Sequence, residues 1–328
     1  MRYLFLTRRQ VSRVVVGVAA WVLLVGFSLA VAPSVLMDWM ARHRYVDATT
    51  EHQRLGGRLD GLVAELADLQ TATDEVRIQM SKIHLVYGFT SDQAHGQGGY
   101  PHEPSPVPES EFAPAIRQAN GHLARIAEQF GVLEAFLDEV QVFERDHQDQ
   151  VRHTPSMSPV ESERFVLTSP FGMRVSPFTG EEDFHAGIDF AAAVGTPIYA
   201  PAAGVVTFAG RYSLRRSVGW WRYGNLVAIQ HGDRFVTLYG HCDEVTVRQG
   251  QTVEQGDLIA TVGNTGWSTN PHLHYEIRRL EDDGSSRPVD PRIYILDHRW
   301  RNEERVLIRA RRAPDTSEYE PLPRGLGR

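Results

Sequence analysis

Residues 226–241 read LVAIQHGDRFVTLYGH, and their pattern decides the fold of the C-terminal half. Two apolar runs, Leu226–Gln230 and Phe235–Tyr239, flank the turn pair Gly232-Asp233. Short runs rich in β-branched and aromatic residues, separated by glycine turns, read as antiparallel strands. The pattern repeats on both sides. Phe165–Leu167, Pro197–Tyr199, Gly204–Phe208, Thr252–Val253, Leu258–Val262 and His272–Ile277 are further strands, with Gly250 and Gly263-Asn264 among the turns. Residues 165–298 are therefore expected to form a mostly antiparallel β domain.

Upstream the periodicity changes. From Leu55 the apolar positions step by four and three: Leu55, Leu59, Leu62, Leu66, Leu69, Thr73, Val76, Met80, Ile83 and Tyr87, with Thr73 the single polar member. A second seam runs Ile116, Ala119, Leu123, Ile126, Phe130, Leu133, Leu137 and Val140. These are heptad seams of a coiled coil, within residues 38–153. Between them, residues 88–112 are crowded with Gly and Pro and read as a linker. The two helices suggest an antiparallel hairpin within one chain, and a parallel homodimer would give the same pattern. Residues 154–164, rich in Ser and Pro, read as a second linker, and residues 299–328, rich in Arg, as a mobile tail.

The N-terminus carries no charge from Val14 to Met37, 24 residues. At about 1.5 Å per residue that is about 36 Å, enough for a hydrocarbon core of about 30 Å. Arg2, Arg8, Arg9 and Arg13 precede it in a basic tail, residues 1–13, with no acid. The basic flank should stay in the cytoplasm and send the rest of the chain outside. The competing reading is a cleaved signal peptide, since Ala30-Val31-Ala32 resembles a cleavage pattern. The apolar run is longer than a signal needs, and Pro33 after the cut fits a protease poorly. The expectation is an uncleaved single-pass anchor in the cytoplasmic membrane, residues 14–37, with the lipid bilayer as partner. The whole chain is thus α+β: a transmembrane helix, a helical coiled-coil region and a β domain.

The chain has 328 residues, a net charge of −7 and one cysteine, Cys242. The mild negative charge gives no footprint for nucleic acid. A single cysteine forms no internal disulfide, so any zinc site must be built from His and carboxylates. Beside His241, Cys242 reads as a small buried apolar residue rather than a ligand.

Fourteen histidines make a lone one uninformative. In His272-Leu273-His274, residues two apart in a strand share a face, so the two imidazoles project side by side while Leu273 turns toward the core. A metal is the simplest reason for that pairing. His185-Ala186-Gly187-Ile188-Asp189 offers two good zinc donors that converge if the chain bends, though alone this spacing is more often structural. His241, in Leu238-Tyr239-Gly240-His241, would alone read as a strand-end residue.

Taken together, FHAGID (184–189), LYGH (238–241) and GNTGWSTNPHLHYEIR (263–278) resemble the lysostaphin/LytM-type zinc endopeptidases. The flanking SPFGMRVSPFTG, DFAAAVGTPIYAPAAGVV and VRQGQTVEQGDLIATVGNTG agree, and the likeness covers about residues 165–295. The resemblance implies one Zn²⁺ held by His185, Asp189 and His274, with His241 and His272 as catalytic histidines. It implies an endopeptidase acting on peptide stems of bacterial peptidoglycan through metal-activated water. Some relatives lack these residues and act as activators of cell-wall amidases; here the set is complete. Tyr239 and Glu276 also match the pattern, and Glu276 reads equally as a group that orients a histidine or as a plain surface carboxylate.

Two departures stand out. Asn270 takes a position where the family commonly has glycine, and RYSLRRSVGWWRY (211–223) is longer and more aromatic than the usual connector. Trp220 and Trp221 read either as walls of a substrate groove, with Arg215, Arg216 and Arg222 near anionic stems, or as packing residues. The coiled coil would hold the domain off the membrane or couple it to a regulatory protein or a second copy. The rival to an enzyme is a wall-binding adaptor that activates another hydrolase.

Overall fold

The computed structural model describes residues 8–89, 112–176, 178–212, 217–310, 321–323 and 326. Helix α1 spans Arg8–Tyr87, α2 Ala113–Asp146 and the short α3 Gln148–Arg152. The Gly/Pro-rich stretch 90–111 lies outside the described residues, as do Arg215 and Arg216. By contacts the chain divides into two units, residues 1–70 with 102–125 and residues 71–101 with 126–328.

In the first unit α1 carries the apolar run in an unbroken helix, with Val15, Trp21, Leu23, Leu24 and Phe27 all exposed. Among the described residues, one helix is thus long and apolar enough to cross a membrane. Farther along, the ring of His52 packs on Phe112 and the amide of Gln70 bonds His122 and Arg125. In the second unit Thr73 and Asp74 bond Gln129, His84 stacks on Phe136, and Tyr87 packs on Phe143. In both units the partner advances along α2 as the residue advances along α1. The helices run parallel, which corrects the expected antiparallel hairpin. A heptad pattern specifies a seam and not a direction; short connections force antiparallel neighbours, and the connection here is long.

The seam itself is turned by one residue. Leu55, Leu62, Leu69 and Val76 on α1, and Leu123, Phe130 and Leu137 on α2, remain about half exposed. An apolar stripe wider than a two-helix contact cannot be covered by one partner.

The β domain lies wholly in the second unit. Its strands are β1 (Val166–Ser169), β2 (Gly172–Val175), β3 (Glu182–His185), β4 (Ile188–Ala191), β5 (Pro197–Tyr199), β6 (Gly204–Arg211), β7 (Asn225–His231), β8 (Phe235–Cys242), β9 (Thr252–Val253), β10 (Leu258–Thr261), β11 (His272–Leu280) and β12 (Ser286–Val289). The main sheet is ordered β1-β4-β11-β8-β7-β6-β9, with β12 on β11, and every pairing is antiparallel. Alternation sorts the two faces. Val227, Ile229, Tyr239, Leu273, Tyr275 and Ile277 enter the larger core. Leu226, Ala228, Val236 and Leu238 enter a smaller cluster around Trp220 from α4 (Val218–Trp221). His272, His274 and Glu276 alternate with the core residues of β11, so they share the face of the smaller cluster.

Two of the expected loose segments are tied down. In residues 154–164, Val160 is fully buried, Ser156 O accepts from Leu296 N at 2.8 Å, and Ser158 N donates to Asp297 at 2.8 Å. The short side chains and prolines let this strap lie flat on the domain. The expected mobile tail is corrected where it is described; residues 311–320, 324, 325, 327 and 328 lie outside the described residues. Residues Glu303–Ala310 form α5, and Leu326 is buried in the smaller cluster, its carbonyl accepting from Thr207 Oγ1 at 2.8 Å. Glu303 pairs at 2.6 Å with Lys82, a fully buried lysine of α1 that also donates to Ile295 O at 2.8 Å. Arg299 reaches Glu75 at 2.8 Å. Arginine and acid density that looked solvating in the sequence here bonds to a helix.

Two measurements follow from this packing. Cysteines replacing Thr73 and Gln129 should cross-link within one chain under mild oxidation; an antiparallel pair would leave them apart and uncross-linked on a non-reducing gel. His231 is fully buried between Ala203 O and Thr237 Oγ1, each at 2.8 Å, and burial pulls its pKa down to about 4. Its lowered value means that acid protonates the unfolded chain first. Stability is full above pH ~6.5 and should fall by about 2 kcal/mol from pH 7 to pH 5 through this group. Denaturation curves of His231→Gln should lack that share of the loss.

Candidate metal centre

Three strands bring the proposed ligands together. β3 ends on His185, β4 carries Asp189, and β11 carries His274 directly opposite Asp189 in the β4–β11 ladder. His274 also faces Gly240 of β8. Gly187 makes the bend between His185 and Asp189 possible by close approach. A Cβ there would lie 2.3 Å from the Tyr275 carbonyl oxygen, inside backbone atoms that cannot move.

His185 Nε2, Asp189 Oδ1 and His274 Nδ1 form a triangle with edges of 3.1, 3.0 and 2.9 Å. His185 Nδ1 lies 2.9 Å from Pro170 O, which only accepts, so that nitrogen carries the hydrogen and Nε2 presents a lone pair. His274 Nε2 lies 2.9 Å from the Glu276 carboxylate, so in the neutral ring Nδ1 presents the lone pair. Three acceptors thus converge on one point and need a positive charge between them. Burial opposes charge on His274, but its hydrogen bonds to Asp189 and Glu276 outweigh burial and raise its pKa to about 9. Without a metal, a proton on His274 meets the demand. A divalent cation would meet it better, and two imidazoles with one carboxylate form a donor set suited to zinc with a fourth position open. Tetrahedral zinc with bonds of about 2.0–2.2 Å would set its donors about 3.3–3.6 Å apart, so small shifts suffice.

Burial likewise opposes charge on Asp189, yet the rings of His185 and His274 beside it hold its carboxyl far below the usual range. Its other oxygen accepts from Arg174 at 3.1 Å, and Arg174 also donates to Ser169. Arg174, in the FGMR stretch of β2, was not singled out from the sequence. An arginine in a polar strand reads as surface, and only the β2–β3 pairing, which sets Gly172 opposite His185, turns it inward.

The two further histidines sit beside the triangle. His241 and His272 have ring centroids 4.6 Å apart, and His272 Nε2 is 3.8 Å from Asp189 Oδ1. Each offers its Nδ1 to a backbone carbonyl, His241 to Thr265 O at 2.8 Å and His272 to Asn270 O at 2.7 Å. Asn270, which stands where glycine was expected, thus supports His272 through its carbonyl. In both rings Nε2 is left as the free acceptor. His241 has φ of 62°, a strained value for a non-glycine residue. Burial, with His274 and His272 adjacent, lowers its pKa to about 3, so it stays neutral at ordinary pH.

Glu276 is no surface carboxylate: it is fully buried and accepts also from Tyr223 and Arg278. Of the two tryptophans, Trp220 is buried and Trp221 half-buried, which decides for packing at Trp220. Trp267, in the loop before His272, is exposed, with the Arg222 guanidinium 4.8 Å from its ring and the likewise exposed Phe178 edge-on at 5.1 Å. Cys242 is fully buried among apolar residues, and burial pushes its thiol up to about 12.

Residues 183–291, which hold all five of these side chains, match Peptidase family M23. The chain belongs to that family. Its M23 domain is 43% identical over 125 residues to the DD-carboxypeptidase/endopeptidase Mpg of Neisseria meningitidis, covering 38% of this chain and 26% of that protein. It is 36% identical over 129 residues to the peptidoglycan DD-endopeptidase ShyA of Vibrio cholerae, covering 39% and 28%. Among solved structures, a catalytic-domain mutant of the prophage-encoded M23 protein EnpA from Enterococcus faecalis is 35% identical, with 41% of this chain and 95% of that one covered and a TM-score of 0.34. The chain spans about a quarter of the length of the curated relatives it matches.

Replacing Gly187 by Ala in the M23 domain should destabilise it by about 1–3 kcal/mol, through overpacking against Tyr275. A thermal melt of the variant at or above the wild-type midpoint would contradict the close approach.

Proposed function

We propose that the M23 domain is a zinc-dependent endopeptidase that hydrolyses peptide cross-links of bacterial peptidoglycan for wall remodelling. The observation that carries the reading is the convergence of His185 Nε2, Asp189 Oδ1 and His274 Nδ1 on one point, beside two histidines anchored at Nδ1. A zinc ion held by those three residues would polarise a carbonyl and activate a water. His241 and His272, each anchored at Nδ1, can accept a proton at Nε2 and return it to a leaving amine. The neutrality of His241 keeps its lone pair available, and the hydrogen bond from Nδ1 to Thr265 O fixes where that lone pair lies. Arg174 holds the second Asp189 oxygen, so the carboxylate cannot rotate away from the centre.

The helical arm fits a wall enzyme tethered outside the cytoplasm. Residues 14–37 would cross the cytoplasmic membrane once, N-terminus inside. Residues 38–87, as continuous helix, reach about 75 Å. In a cell with an outer membrane the first candidate for the cleaved bond is a D-alanyl–diaminopimelate cross-link, and a glycine bridge is the second.

The full chain, solubilised in detergent, should bind one zinc and digest purified sacculi, and a chelator should stop digestion. His274→Ala should lose zinc and activity together. His241→Ala should keep zinc while turnover falls about a hundred- to ten-thousand-fold. Mass spectrometry of the released muropeptides names the bond. Digestion untouched by chelator and by His274→Ala would overturn the enzyme reading in favour of an adaptor.

A further inference from the structure

Behind His274 lies a chain of buried groups that ends in the aromatic connector. Glu276 stands two residues beyond His274 on the same face of β11. Its Oε1 accepts from His274 Nε2 at 2.9 Å and from the Tyr223 hydroxyl, and its Oε2 accepts from Arg278 Nε at 2.7 Å. Arg278 is buried in turn, its guanidinium 5.1 Å from the ring centroid of Trp220. Trp220 stacks on Tyr223 with centroids 5.0 Å apart and planes at 12°. Tyr223 closes the circuit: its ring stands edge-on to His274 at 5.3 Å, and its carbonyl accepts from the His241 amide at 2.7 Å. Gly240 makes room for this, since a Cβ there would come 3.1 Å from the Tyr223 ring.

The chemistry of this chain is directional. A buried carboxylate persists as an anion only when paired, and Arg278 supplies the pair. An ionised carboxylate only accepts, so in the neutral ring that a metal would bind the hydrogen of His274 sits on Nε2 and its lone pair on Nδ1. The Tyr223 hydroxyl takes a second lone pair of the same oxygen and restricts rotation of the carboxylate.

We propose that Tyr223 and Glu276 are positioning residues that fix the ring and tautomer of His274 for metal binding, with Tyr223 delivered by residues 217–223 and held there by Trp220 and Arg278. The connector is thereby a support of the metal centre from behind. The proposal rests on the metal reading above.

The test compares the full chain in detergent with Glu276→Gln and Tyr223→Phe, using zinc in competition with a chromophoric chelator and the visible absorption of the cobalt(II)-loaded chain. Glu276→Gln should weaken zinc binding about ten- to a hundredfold, and Tyr223→Phe about tenfold, the range for groups that orient a metal ligand. Both should change the cobalt bands, which report geometry at the metal and which a merely structural loss would leave unchanged. Tyr223→Phe keeps the stacking ring, so it decides the matter if Glu276→Gln does not fold. Zinc affinity within twofold of wild type with unchanged cobalt bands overturns this proposal alone. A wild-type chain that binds no zinc overturns the metal reading and this proposal with it.

Discussion

The ladder between residues 188–191 and 272–275 sets Asp189 opposite His274, and the rest of the centre depends on that register. Side chains in a strand alternate faces, so a slip of one residue would send His272, His274 and Glu276 into the larger core and Leu273 and Tyr275 out of it. The apolar partners of β11 make that slip costly. Leu273, Tyr275 and Ile277 are all fully buried, and their burial therefore also aims the polar set at the other face. Gly187 removes the side chain that would hold β11 away, and Gly240 the one that would crowd the Tyr223 ring.

The centre concentrates charge where water is scarce. Asp189, Glu276 and Arg278 are all buried, and His185, His241 and His274 lie among them. Each ionised group has a hydrogen-bonded counterpart, as burial requires. The acceptors aimed at one another at the metal triangle are the exception. A domain built for stability alone would gain from apolar residues there, so the triangle is best understood as a place where stability is given up for binding. Lys82 and Glu303 make a different use of a buried pair. They join the end of the long helix to the β domain through contacts that cannot be rearranged without exposing or orphaning a charge.

The helical region shows how far a repeat carries. The 3-4 spacing located both helices' apolar faces to within one residue, and it was silent on direction. Polar contacts such as Thr73 with Gln129 and Gln70 with His122, invisible to a hydrophobic pattern, accompany the parallel arrangement.

Strand positions, the alternation that pairs His272 with His274 and the apolar N-terminal helix were all legible in the amino-acid order, because each depends on local periodicity. The spacing of His185 and Asp189 was ambiguous until family likeness gave it weight, because their meeting with His274 is a contact across 85 residues or more. Arg174, Tyr223 and the buried state of Glu276 were not legible. Each depends on which face of which strand meets which connector, and that is settled by long-range pairing and packing rather than by neighbours in the chain.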